Sequence, residues 1–185
     1  MRTRKALIVA AAAAAIVGLS AAPAVAQDTG DTTTTFDVDA GTLDITVPAT
    51  ADLGNGDAGT TITGQLGAVT VDDTRAAADA SWEAEVEATD FETDDGGDAS
   101  EIVTPGNIDY WSGAATATTG NGTFTPGQAN AGAALPLSDV TPITAFTHAG
   151  GTGNNSASWN PTLEVNVPLA NVAGTYTGTV THSVA

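Results

Sequence analysis

The chain has 185 residues, no cysteine, and 22 Asp and Glu against 4 Lys and Arg, for a formal net charge of −18. A surface so acidic repels phosphate backbones and anionic lipid, which excludes nucleic acid and membrane surfaces as partners. The missing thiols exclude cysteine nucleophiles, disulfide staples and cysteine-based metal centres.

Arg2, Arg4 and Lys5 form a positive start, Ala6–Leu19 is apolar apart from Gly18, and Ala24-Val25-Ala26 places small residues where a signal peptidase reads. This pattern predicts a secretory signal peptide over residues 1–26, cleaved before Gln27, and therefore an extracellular protein. No cysteine follows the apolar run, and Arg2 and Arg4 are not adjacent, so neither a lipid anchor nor a twin-arginine route is expected. Beyond Lys5 the one basic side chain is Arg75. Residues 27–185 suit one domain with a core of its own.

Residues 27–35 are polar and threonine-rich and read as a flexible leader. From Phe36 apolar residues alternate: Phe36, Val38, then, after a phase shift at Ala40-Gly41, Leu43, Ile45 and Val47 up to Pro48. Residues 53–57 carry an Asn-Gly turn signal. Residues 60–65 and 68–72 read as two short strands or one bulged strand, with Ile62, Leu66, Val69 and Val71 inward. Residues 73–80 read as a connection, too short for a stable helix.

Residues 81–91 give the clearest pattern. Trp82, Ala84, Val86 and Ala88 fall on one side of an extended chain, and Glu83, Glu85 and Glu87 on the other. A solvated acidic loop is expected over 90–101, and a strand carrying Ile108 and Tyr110 within 102–111. A hairpin is expected over 114–124, turning at Gly120-Asn121-Gly122. Residues 126–136 read as loop, 139–148 as a strand with Ile143 and Phe146 inward, and 150–156 as loop. Leu163, Val165 and Val167 mark a strand ending at Pro168. The last strand is expected over 175–184, with Tyr176, Val180, His182 and Val184 on one face. Short strands at near-regular spacing with Gly, Pro and Asn turns predict an all-β fold, a single β-sandwich of Ig-like or Greek-key type over residues 36–185.

Few residues suggest chemistry. The histidines are His148, read as exposed beside a glycine loop, and His182, read as packed in the last strand. Neither a Gly-x-Ser-x-Gly elbow nor a zinc spacing occurs, so no enzyme and no tightly held cofactor is expected. The one metal candidate is calcium, held by Asp90, Glu92, Asp94, Asp95 and Asp98 around the pliable Gly96-Gly97. The alternative is a solvated acidic face. Among the aromatics, Trp82 reads as core. Tyr110 and Trp111 face opposite ways if extended. Trp159, before Asn160-Pro161, reads either as a loop-borne platform for a sugar ring or as a pinned loop residue.

Val69-Thr70-Val71-Asp72-Asp73-Thr74-Arg75 followed by Ser81–Phe91 resembles the V-x-D-x-R … W-x-(aliphatic) … F segment of WxL-like surface proteins of Gram-positive bacteria. Ala173–Thr181 resembles the closing A-G-x-Y-x-x-x-(L/V)-T strand of that family, and the composition resembles an actinobacterial relative. The resemblance implies an exported, β-rich, non-enzymatic surface domain held on peptidoglycan without a covalent bond. Its motif residues here are Trp82 and Tyr176, with Trp111 and Trp159 as further aromatic candidates for wall binding. The chain departs from the family at Trp82-Glu83-Ala84, which lacks the leucine, and at His182-Ser183-Val184, where the distal tryptophan is missing. The expected partners are cell-wall peptidoglycan or other surface proteins. No sorting motif or apolar tail follows the last strand, so retention is expected to be non-covalent. The alternative reading is a freely secreted acidic β-sandwich, a calcium-tuned adhesion or protein-binding module.

Overall fold

Alternating apolar and polar residues build fourteen strands in the computed structural model, which describes residues 28–93 and 97–185. The predicted signal peptide lies outside the described residues, as do Asp94 and Asp95. Residues 28–42 are exposed and carry no regular structure, so the alternation at Phe36 and Val38 does not open a strand as expected. A strand needs a ladder partner as well as a pattern.

In chain order the strands are β1 Leu43–Thr46, β2 Thr61–Gln65, β3 Val69–Ala77, β4 Trp82–Ala88, β5 Phe91–Glu92, β6 Ile102–Val103 and β7 Ile108–Trp111. They continue as β8 Ala115–Thr119, β9 Thr123–Pro126, β10 Leu135–Pro136, β11 Ile143–Ala149, β12 Gly153–Trp159, β13 Thr162–Asn166 and β14 Val180–Val184. Short 3-10 turns occur at Ala99–Glu101, Pro105–Asn107 and Ala131–Ala133. No helix among the described residues is long and apolar enough to cross a membrane.

Every ladder is antiparallel. One sheet runs β1-β3-β12-β8, a second β10-β7-β13-β2 and a third β14-β4-β11-β9, with β5-β6 as a small ribbon. The fold is the expected all-β sandwich, its sheets meeting in one core. β4 is central to the third sheet, with Trp82, Ala84, Val86 and Ala88 buried and Glu83 and Glu85 exposed. Each of the larger apolar side chains contributes roughly 1.5–3 kcal/mol by leaving water. Phe146 of the third sheet stacks on Trp159 of the first, with ring centroids 4.8 Å apart. Tyr110 of the second sheet reaches both Trp159 and His182.

Several expectations are corrected. β3 runs on through Asp73 and Arg75 to Ala77, where a connection was expected, because β12 pairs with its whole length. β12 itself occupies residues read as loop. Its Ser156 and Ser158 hydroxyls hydrogen-bond Thr119 and Thr70 across the sheet at 2.7 and 2.8 Å, which makes a strand of small polar residues adhesive. Residues 115–126 do reverse at Gly120-Asn121-Gly122, but β8 and β9 join different sheets rather than each other. Gly122 has a φ of +106°, and a Cβ there would strike the His148 ring. The last strand starts at Val180 rather than Thr175. Before it, Thr177 only bridges Glu92.

Candidate functional site

Asp73, Arg75 and Trp82, from β3 and β4, form one connected network with Asn155 of β12. Asp73 is fully buried. It accepts from Arg75 Nε at 2.9 Å and Arg75 Nη2 at 2.8 Å, a two-pronged pair. The Asn155 Nδ2 atom adds a third side-chain bond at 3.2 Å. Asn155 Oδ1 in turn accepts from Trp82 Nε1 at 2.7 Å. Arg75 Nη2 also donates to the Ser81 carbonyl at 3.0 Å. The Arg75 guanidinium, by its hydrogen bonds above all, holds the Asp73 carboxyl below the usual carboxylate range against the opposing effect of burial.

His148 completes this corner. It is buried rather than exposed as expected. Its Nδ1 and Nε2 lie 2.8 Å from the carbonyl oxygens of Ala80 and Asn121, so the ring ties two loops together. It stacks on Phe124 at 4.3 Å and lies 5.8 Å from the Trp82 ring. Asn155 was missed because it sits in a stretch of Gly, Asn and Ser that reads as loop.

The aromatic candidates separate. Trp82 is 4% exposed and Trp159 fully buried, so neither presents a ring face to a sugar, and the platform reading of Trp159 is overturned. Trp159 is the last residue of β12, its apolar ring closing the core. Tyr176 is half-buried. Its hydroxyl lies 3.0 and 2.9 Å from the Ser100 and Val172 carbonyls, which share its one proton, and accepts from Asn171 Nδ2 at 3.2 Å, which pins the segment before β14. Trp111 is half-buried on the outer side of β7, as Tyr176 is before β14, so these two of the four keep partly free rings.

The acidic candidates separate as well. Asp90 and Glu92 line one shallow depression, joined by Asp139, which the sequence reading did not single out. Asp98 is exposed at the start of the Ala99–Glu101 turn, where the Glu101 carboxylate accepts from the Gly97 and Asp98 N–H groups. Among the described residues no three His, Cys, Asp or Glu side chains are placed to hold a metal ion.

The remaining site surrounds His182. Trp159 Nε1 donates to the Tyr110 hydroxyl at 3.4 Å, and that hydroxyl lies 3.1 Å from His182 Nε2. Either partner can supply the proton of that contact, and His182 Nδ1 makes no hydrogen bond among the described residues. Burial lowers the His182 pKa to about 4 and raises that of Tyr110, so both are neutral near pH 7. His182 lines a cleft of about 190 Å³ whose walls include Leu53, Leu66, Phe91, Leu163 and Val180. Gly178 and Thr179 belong both to this cleft and to the acidic depression, so the two adjoin. A Cβ at Gly178 would lie 2.5 Å from the Phe91 ring, so only glycine lets the chain pass there.

Comparison with protein-family models, curated proteins and solved structures finds no match.

Proposed function

We propose that the chain is an exported, non-enzymatic surface protein, held at the cell wall without a covalent bond, that works by binding another protein. The observation that carries this reading is an open cleft with apolar side chains in its wall and an acidic border, next to a Trp159 that is itself buried, as Trp82 is elsewhere in the core. Sugar recognition by stacking needs an exposed ring face, whereas an apolar cleft with polar neighbours suits a side chain. The hydrogen bonds of His148 and His182 to groups of the fold support a structural rather than a catalytic use of both. The signal-like start and the WxL-like segments support export and a place at the wall.

The test compares retention of the exported chain on cell walls that keep their proteins and on walls stripped of them. Retention lost on stripping is expected. Equal retention on both favours the second reading, direct peptidoglycan association through the half-exposed Trp111. A chelator arm reports on bridging cations, since an acidic protein on an acidic wall needs either contacts or cations to stay. No retention on either wall overturns both readings and leaves the freely secreted module.

A further inference from the structure

We propose that the cleft at β14 docks an extended segment of a partner protein, one in which an apolar side chain is followed by Lys or Arg. This rests on the protein-binding reading above and names the chemistry of the partner. The apolar part follows from size and lining. An apolar cavity of about 150 Å³ accepts a benzene-sized group, so about 190 Å³ accepts one aromatic ring or branched aliphatic side chain. Leu53, Leu66, Phe91 and Val180, each half-buried, supply apolar side chains to its wall beside backbone polar groups.

The cationic part follows from charge. Asp90, Glu92 and Asp139 line the depression that shares Gly178 and Thr179 with the cleft. The chain's one basic side chain beyond Lys5, Arg75, is engaged by Asp73. The three carboxylates do not converge as metal ligands do. A spread of that kind suits a long, mobile ammonium or guanidinium rather than a hard ion. The net charge of −18 steers a basic segment in and an acidic one away.

Two features, one of the backbone and one of a side chain, bear on the approach. β14 is an edge strand of its sheet with β1 packed beside it, so an incoming segment meets that edge at Gly178, Thr179 and Val180, where the cleft opens. At the cleft wall His182 Nδ1, without a partner among the described residues, is open to a polar group of the incoming segment. The chain's own exposed segment with Phe36 and Val38 supplies the apolar residues but alternates them with Asp37 and Asp39, the wrong charge for this border.

The experiment titrates the exported chain with a capped Gly-Phe-Lys-Lys-Gly peptide and follows backbone amide shifts. Two control peptides replace the Phe by Ser or both Lys by Glu. Shifts are expected to centre on Leu53, Leu66, Thr179, Val180 and His182, with each control peptide at least about tenfold weaker. Ala51→Trp, at the exposed rim of the cleft, is expected to weaken the Phe peptide by a similar factor. Asp139→Asn is expected to weaken only peptides that carry Lys. Both positions are exposed, and an unchanged melting temperature confirms that the variants fold. Equal binding of all three peptides, or shifts centred elsewhere, overturns the proposal. If the peptides fail while the chain still depends on wall proteins for retention, the cleft assignment alone falls. If retention on protein-bearing walls is also absent, the protein-binding reading falls with it.

Discussion

Two corners of the sandwich each bury a tryptophan whose N–H must be satisfied, and they solve the problem differently. At the first, Trp82 donates to Asn155, which passes the contact to Asp73 and Arg75, while the His148 ring sits between the Ala80 and Asn121 carbonyls. The chain from Trp82 through Asn155 to Asp73 and Arg75 has its partners inside the protein. At the second, Trp159 donates to Tyr110, the Tyr110 hydroxyl pairs with His182 Nε2, and the chain ends on a His182 nitrogen with no partner among the described residues, at an open cleft. A buried polar chain that closes on itself specifies packing, whereas one that stops at a cavity wall leaves a polar group for something else. The closed corner holds Trp82, and the open corner holds His182.

The largest expected effect lies in the packing that both corners share. Trp159→Ala removes the ring that Phe146 stacks on and the Tyr110 partner, and is expected to cost about 4 kcal/mol in denaturant unfolding. A loss below about 1 kcal/mol would mean that the core does not centre there. Next is the closed corner. Asp73→Ala leaves Asn155 Nδ2 short of a partner and Arg75 without its carboxylate. The expected loss is about 3 kcal/mol, at the low end for a buried pair because the Arg75 side chain is one-third exposed.

The two corners also answer to acid differently. Asp73 has a lowered pKa, so the stability it contributes is present above the unfolded carboxylate value near ~3.9 and is lost as pH falls below it. His182 is a base whose pKa falls to about 4 on folding from ~6.5 in the unfolded chain. Between those values the unfolded state takes up a proton that the folded state refuses, so stability falls as pH drops from about 6.5 to about 4. Melting curves are expected to decline across that window first, and His182→Gln to flatten that decline while leaving the steeper loss below pH 4. A decline untouched by His182→Gln would contradict burial of that ring. The smallest effect is at the acidic border of the open corner. Asp139 is exposed, and Asp139→Asn is expected to move stability by no more than about 0.5 kcal/mol, measured in low salt.

Legibility followed the source of order in each element. β4 was plain because its period-two pattern sets Trp82, Ala84, Val86 and Ala88 against glutamates, and the burial follows that pattern residue by residue. β12 was invisible because Gly153, Asn154, Asn155, Ser156 and Ser158 favour turns in isolation. Pairing with β3 and β8 on both sides, with cross-strand hydroxyl bonds, makes them a strand. The same tertiary override turned residues 73–77 from connection to strand. His148 was misplaced because glycines on its C-terminal side suggest exposure, while its burial depends on carbonyls at Ala80 and Asn121, far away in sequence. Of the site, Trp82 as a core residue and His182 as a packed one were readable from alternation. Asp139 and the cleft were not, because a cavity formed by residues 47–53, 163 and 178–182 has no local signature.

The most direct test of the division between the two corners is retention of Trp82→Phe on protein-bearing cell walls, measured at a temperature where circular dichroism confirms the fold. Phenylalanine keeps the apolar ring and loses the N–H that Asn155 accepts, so the melting temperature is expected to fall by the equivalent of about 1–2 kcal/mol. If the closed corner builds the fold and the open corner binds, the folded variant is retained as the parent is. A folded Trp82→Phe that no longer stays on the wall would contradict the account, because a tryptophan 4% exposed would then be contributing to binding directly.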